Sequence, residues 1–373
     1  MAKNNNLTVA KKAKNDEFYT QYSDIQTEIN AYLDYNADLF KNKTVLCPCD
    51  DPEWSNFTKF FTQNFQRFGL KKFISTSYNP GAMGKIFWLD RDVNGDGKID
   101  INDLQWDWLA GDGDFRSMEV TNIRDQADFI ITNPPFSLFR EFIDWIWKGP
   151  GLHYLLISNK NAITYKEIFP KIKDNLMWSG AKPWSNFEFE TPEIDDKGDK
   201  IKKSVPAIWL TNIEHGRRHQ PLYLMTATEN LRLSKHSSIK DKTFDEAYPK
   251  YDNYNAINID FTDAIPKDYD GVMGVPISFL DKYCPDQFEI VGMTCRNYSP
   301  ELVTKIYSKK DYKNANDMNG SPQILQGGGL KTSICTNINQ EEMIKILIPG
   351  QEKYDRPYIR GQRLYARILI RKK

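Results

Sequence analysis

The run Phe129-Ile130-Ile131-Thr132, followed at once by Asn133-Pro134-Pro135-Phe136, constrains this chain more than any other stretch. A short apolar run halted by two prolines reads as a buried strand ending in a rigid loop. In an open α/β sheet that loop lies at the carboxyl edge, where ligands bind. The Asn133 side-chain oxygen and the Pro134 carbonyl can accept hydrogen bonds from one amino group, and proline has no N–H to compete. Phe136 adds an aromatic face on which a planar base can stack. Together these groups describe a pocket for a planar exocyclic amine, such as the N6 amine of adenine. The bland alternative is a proline-stiffened turn after a core strand.

The other strands and helices place this loop in context. Asp24 to Phe40 has helical spacing, Thr44-Val45-Leu46-Cys47 reads as a buried strand, and Asn56 to Phe68 as an aromatic-rich amphipathic helix ended by Gly69. Phe73 to Ser77 and Tyr154 to Ser158 are further strands, and a helix is expected to start near Ser137 and stop at Gly149-Pro150-Gly151. Asn186 to Glu190 and Val205 to Ile213 read as two strands joined by a charged loop. Strands alternating with helices and closed by a hairpin describe a largely parallel sheet with one reversed strand. A length of 373 residues allows two domains, and the boundary is expected within Glu214 to Pro221.

Composition narrows the function classes. Hydrophobic content of 40% and charged content of 27% are those of an ordinary globular protein. Five Cys without a C-x-x-C pair, and four His, argue against a structural zinc site and for a reducing cytoplasm. Met1 to Lys14 lacks the apolar core of a secretory signal, and no apolar run approaches the ~20 residues that span a bilayer. Lys plus Arg equal Asp plus Glu at 50 each, but the charge is unevenly spread. Asp90 to Asp144 is acidic, whereas Glu352 to Lys373 holds eight basic residues against two acids. In that tail Arg356, Arg360 and Arg363 alternate with Tyr354, Tyr358 and Tyr365, a pattern that suits phosphate and base contacts and equally a solvated face. A second basic knot, His215 to His219, reads as a phosphate-contacting or solvated turn. Asp92-Val93-Asn94-Gly95-Asp96-Gly97 with Asp103 twelfth matches a calcium loop in spacing. Its flank, Lys85 to Leu89, reads as a strand, so an acidic hairpin turn is the preferred reading and no metal is expected.

Asn-Pro-Pro-Phe after a strand resembles the catalytic motif of S-adenosylmethionine-dependent amino methyltransferases. Phe18-Tyr19-Thr20 is similar to their N-terminal donor-binding motif. Cys47 to Pro52, Gly111 to Arg116, Tyr251 to Tyr254, Gly271 to Pro276 and Ala366 to Arg371 resemble the EcoRI-type adenine-specific DNA methyltransferases. The likeness runs from about Asn15 to the C-terminus. It implies a Rossmann-like, seven-stranded methyltransferase sheet over residues 1–213 and a DNA target-recognition domain over 214–373. It also implies S-adenosyl-L-methionine as cofactor, double-stranded DNA as substrate and a cognate restriction endonuclease as partner. Carried over residue by residue, Asn133 and Pro134 would hold the adenine amine and Phe136 would stack on the flipped base. Phe18, Tyr19 and Thr20 would border the methionine end of the cofactor, Asp50 would face its amino group, and Asp114 and Phe115 its adenine. Two departures stand out: no Gly-x-Gly turn follows the first strand, and Ser77-Tyr78-Asn79 supplies no acid for the ribose. The alternatives kept open are an RNA or protein-glutamine methyltransferase, and a DNA-binding module without catalysis.

Overall fold

The structure is a computed structural model that describes residues 20–50, 52–53, 55–194, 200–295, 298–304, 326–327, 330–331, 357–360 and 362–373. They gather into two compact units, divided between Arg217 and Arg218.

The first unit opens with helix α1 (Tyr22–Tyr35), then strand β1 (Thr44–Cys47) and helices α2 (Asn56–Gln63) and α3 (Phe65–Phe68). The expected single helix from Asn56 is thus broken at Asn64, and Gly69 closes it in the left-handed region at φ 62°. Strands β2 (Lys72–Thr76), β3 (Lys85–Leu89) and β4 (Gln105–Trp108) follow, then α4 (Met118–Arg124) and β5 (Phe129–Thr132). The remainder is α5 (Phe139–Trp147), β6 (His153–Asn159), α6 (Phe169–Lys173), β7 (Trp178–Ser179), β8 (Phe187–Ile194), β9 (Lys200–Val205) and β10 (Ala207–Thr211).

Eight of these strands form one sheet in the order β4-β3-β2-β1-β5-β6-β10-β7. The pairs β2–β1, β1–β5 and β5–β6 are parallel, and β10 runs antiparallel to both its neighbours. This is the Rossmann-like sheet, but two strands are reversed, β10 and β3, where the sequence suggested one. It has eight strands instead of seven because β2 is extended by an antiparallel hairpin, β3–β4. The expected pairing of Asn186–Glu190 with Val205–Ile213 is met only at Phe187 and Val205. Instead β8 pairs with β9 as a separate arm, and β10 enters the main sheet.

Every residue of β1 and β5 is buried, as a parallel strand covered on both faces requires. On one face Val45, Cys47, Phe129, Ile131, Leu155 and Ile157 pack with Ile25 and Ile29 of α1 and Phe57, Phe60 and Phe61 of α2. Each fully buried phenyl contributes roughly 1.5–3 kcal/mol of transfer free energy. The alternate residues Leu46, Ile130 and Leu156 are buried on the opposite face. There α4 and α5 are tied together by the Trp145 indole, which donates to Thr121 Oγ1 at 3.0 Å. A buried polar clamp fixes the far edge. Glu28 on α1 accepts from the backbone N–H of Ala181 and of Lys182, each at 2.6 Å, and from the Tyr32 hydroxyl at 2.8 Å.

The second unit contains helices α7 (Ala227–Leu233) and α8 (Phe244–Ala247). Its strands β11 (Ile257–Asn258), β12 (Met273–Pro276), β13 (Phe288–Met293) and β14 (Arg367–Lys372) form a sheet in the order β11-β12-β14-β13. Arg367 is buried, its Nε donating to Asn258 Oδ1 at 3.1 Å and its Nη2 lying 3.3 Å from Asp260.

Candidate active site

The chain crosses from β1 to β2 on one side of β1, and later reaches β5 on the other. The crevice beyond the carboxyl ends of β1 and β5 is therefore the topological switch point, where open α/β sheets bind ligands. The last paired residues there are Leu46 and Ile130; beyond them the two strands carry no shared ladder.

On the β5 side, Thr132 is fully buried and the chain turns out through Asn133 and Pro134. Pro134 is buried, while Asn133, Pro135 and Phe136 are half-buried, and Asn133 Oδ1 is enclosed. Pro135 holds φ at −60° and its carbonyl accepts from Leu138 N–H at 3.0 Å, forming the single 3-10 turn Phe136–Leu138. Helix α5 begins only after that turn, two residues later than the Ser137 cap suggested, because the proline pair sets the exit direction. Phe136 rests one side on the core cluster.

On the β1 side, Asp50 ends the Cys47-Pro48-Cys49 turn and is half-buried. The Thr132 hydroxyl donates to Asp50 Oδ2 at 2.6 Å, joining the two lips of the crevice. Burial pushes the Cys49 thiol well above its ordinary range, and the nearby charges of Asp50 and Asp114 push the same way. The thiol therefore stays protonated, and its environment places Asp114 in electrostatic reach of the β1 tip.

Asp114 and Phe115 arrive on a loop docked against the end of β2. Asn79 N–H donates to the Asp112 carbonyl at 2.8 Å, and Gly113 (φ +83°) passes so close that a Cβ would lie 2.0 Å from the Ser77 carbonyl oxygen. No larger residue fits there. Asp114 is held by the Arg116 guanidinium at 2.6 Å, and the same guanidinium reaches Glu141 on α5 at 2.7 Å. The Arg116 hydrogen bonds keep the Asp114 carboxyl below its usual range. Phe115 is buried edge-on against Phe142 at 5.0 Å and Trp145 at 5.6 Å. Its ring thus anchors the loop on α5.

Phe18 and Tyr19 lie outside the described residues. Thr20 is described and buried, and its carbonyl accepts from the Asn56 side chain at 2.8 Å. Asn56 opens α2, directly after the β1 turn, so this bond docks Thr20 beside that turn. Thr20 Oγ1 and Gln21 Nε2 are enclosed with no hydrogen-bond partner among the described residues. Such groups cost roughly 1–3 kcal/mol each unless satisfied. Sequence reasoning overlooked Thr132, Arg116 and Asn56. The only signal available for Thr132 was a hydroxyl-bearing residue closing an otherwise apolar strand.

The remaining motifs take structural roles. The His215–His219 knot, expected as a solvated or phosphate-contacting turn, is largely interior. His215 and Arg218 are buried, His215 Nε2 lies 3.0 Å from the Ser179 carbonyl, and His219 pairs with Asp286 at 3.0 Å. In the basic tail, Tyr354 and Arg356 and the side chain of Arg363 lie outside what is described. Tyr358 is buried, Arg360 and Tyr365 are exposed, and Arg371 is paired with Glu289 at 2.9 Å. The Asp92–Asp103 loop joins β3 to β4, and its carboxylates bond its own backbone. Asp92 accepts from Gly95 and Gly97 N–H, and Asp103 from Val93 and Asn94 N–H. Among the described residues no group of three or more His, Cys, Asp or Glu is placed to hold a metal ion. Among them, too, no helix is long and apolar enough to cross a membrane.

Three relatives share this sequence over most of its length. The type II methyltransferase M.EcoRI of Escherichia coli is 40% identical over 312 residues, covering 78% of this chain and 89% of the relative. The type II methyltransferase M.MpnI of Mycoplasma pneumoniae is 34% identical over 85% of this chain and 95% of its own. M.MgeORF184P of Mycoplasma genitalium is 33% identical over 85% and 96%. No solved structure matches the chain. Residues 6–373 match the family described as adenine-specific methyltransferase EcoRI, and the chain belongs to that family.

Proposed function

We propose that this adenine-specific methyltransferase takes its methyl group from S-adenosyl-L-methionine and delivers it to the N6 amine of an adenine flipped out of double-stranded DNA. The observation that carries the reading is the position of the Asn133-Pro134-Pro135-Phe136 loop and Asp50 on opposite lips of the switch-point crevice, bridged by Thr132. When bound, the cofactor supplies an electrophilic sulfonium methyl. Asp50 would take its ammonium, Thr20 would border its methionine end, and Asp114 and Phe115 would flank its adenine.

The adenine amine is a weak nucleophile because its lone pair is delocalised into the ring. Asn133 Oδ1 and the Pro134 carbonyl, accepting from its two N–H bonds, favour a tetrahedral nitrogen whose lone pair points away from the acceptors. No general base is needed before attack. The chain's contribution is positioning, which can supply roughly 7–11 kcal/mol when reacting atoms are held in near-attack geometry. An amine inside a duplex cannot reach a half-buried loop, so the base must leave the stack at a cost of a few kcal/mol. Stacking on Phe136 offsets about 1–3 kcal/mol of that cost.

The second unit, residues 218–373, is proposed to read the DNA site, with the first unit carrying the chemistry. The relatives' names as type II methyltransferases support a place in a restriction–modification system, in the cytoplasm, beside a cognate endonuclease. The test is methyl transfer from labelled S-adenosylmethionine to unmodified duplex DNA, with nucleoside analysis of the product. N6-methyladenine in DNA, absent from RNA and protein controls, is the expected result. Label in RNA or protein alone would overturn the substrate assignment.

A further inference from the structure

The bond between Thr132 and Asp50 spans 82 residues of sequence and lies where no backbone ladder joins β1 to β5. Asp50 sits three residues beyond the end of β1, on a turn rather than in the strand. The Thr132 side chain is held in one rotamer, because it is completely buried and β-branched in a central strand. At 2.6 Å the contact has the length of a charge-assisted O–H···O⁻ bond. Thr132 also precedes Asn133 directly, so one rigid residue adjoins both lips of the crevice.

We infer that Thr132 is a positioning residue, its hydroxyl fixing the Asp50 carboxylate so that the cofactor's amino-acid end is held in register with the Asn133 loop. The inference rests on the function proposed above. The Thr132 hydroxyl is spent on Asp50, and it acts through that carboxylate. The Cys49 thiol next to it stays protonated and so does not compete as an anion for the same ammonium. A valine at position 132 would fill the same volume and keep the strand, but leave Asp50 without this donor.

The role predicts a selective loss that general loosening of the fold would not produce. S-adenosylhomocysteine has the amino-acid end that Asp50 addresses; 5′-methylthioadenosine keeps the nucleoside and lacks that end. Calorimetric titration of the full-length protein with both probes, for wild type, Thr132→Val and Thr132→Ser, separates the cases. Thr132→Val should weaken S-adenosylhomocysteine about tenfold, the loss of one charge-assisted bond, and leave methylthioadenosine within about twofold. Thr132→Ser, which keeps the hydroxyl, should stay near wild type for both. In an Asp50→Ala background, Thr132→Val should add nothing further. Equal weakening of both probes by Thr132→Val, or no weakening of S-adenosylhomocysteine, overturns the inference. If wild-type protein binds neither probe, the cofactor assignment itself fails, a different result from a wild type that binds while the valine variant binds equally well.

Discussion

Replacing Asn133 by alanine isolates the proposed chemistry from the fold. The side chain is half-buried with its oxygen enclosed, while Pro134 and Pro135 keep the backbone course of the loop. Truncation therefore removes one of two acceptors around the amine and leaves the Pro134 carbonyl in place. Deleting one preorganised partner of a developing charge costs about 2.7–4 kcal/mol, or roughly 100- to 1,000-fold in kcat. The effect on stability should be at most ~1 kcal/mol, because the side chain is only half-buried and the two prolines hold the loop, and should move Tm by only about 2–4 °C in a unit of this size. Single-turnover methyl transfer into duplex DNA, with the S-adenosylhomocysteine Kd and a thermal melt on the same samples, measures all three quantities. Asn133→Asp keeps an acceptor oxygen and should fall between wild type and alanine. A kcat for Asn133→Ala within tenfold of wild type would refute the acceptor role. So would a loss of activity that merely follows a loss of folded protein.

Phe136→Ala should lower kcat/KM for DNA roughly 5- to 150-fold, the equivalent of about 1–3 kcal/mol of stacking. Phe136→Tyr should retain most of the rate, and a leucine as good as tyrosine would show that stacking is not the reason for the aromatic. Phe115→Ala removes a ring packed on Phe142 and Trp145 and should cost about 3–5 kcal/mol, lowering Tm by about 6–20 °C. A fall under about 3 °C would contradict its anchoring role. Burial raises the Glu28 carboxyl above its ordinary value, against the hydrogen bonds from Tyr32, Lys182 and Ala181. The folded state then holds this proton more tightly than the unfolded state. Its contribution is complete below the unfolded value of 4.5 and is lost as pH rises through the raised folded value. Glu28→Gln removes that titration and sets an NH₂ against one of the two backbone N–H donors, at a cost of about 1–3 kcal/mol. Its Tm should be lower and rise less on acidification towards pH 4.5 than wild type; identical pH slopes would show that Glu28 does not titrate in this range.

Local chemistry made part of the fold readable. Strands β1 and β5 are short, apolar but for one threonine each, and followed within two residues by a proline, and both were legible as buried strands. β9 was not, because Lys200–Val205 is rich in lysine and pairs only with β8, outside the main sheet. The sequence Lys-Ile-Lys-Lys-Ser-Val carries no apolar period, so it reads as a charged loop. The His215–His219 knot misled for the opposite reason. Clustered charges suggest a solvated turn, yet His215 is buried with its Nε2 against the Ser179 carbonyl, 36 residues earlier in the chain.

The site divides along the same line. Asn133, Pro134 and Phe136 could be singled out from four consecutive residues, since an apolar run halted by two prolines already marks the loop at the end of β5. Asp50 could be named only through family likeness, because nothing in Cys47-Pro48-Cys49-Asp50 says which strand lies beside it. That information is in the strand order. Once β5 pairs with β1 on the side away from β2, a crevice must open between their carboxyl ends, and whatever follows Cys47 must face whatever follows Thr132. The Thr132–Asp50 bond is a consequence of that order, and the order is set by burial of two apolar strands far apart in sequence. Periodicity identifies each strand but not its neighbour. For this reason the Asn133–Phe136 loop was legible in the sequence, whereas the bond from Thr132 to the opposite lip of the crevice was not.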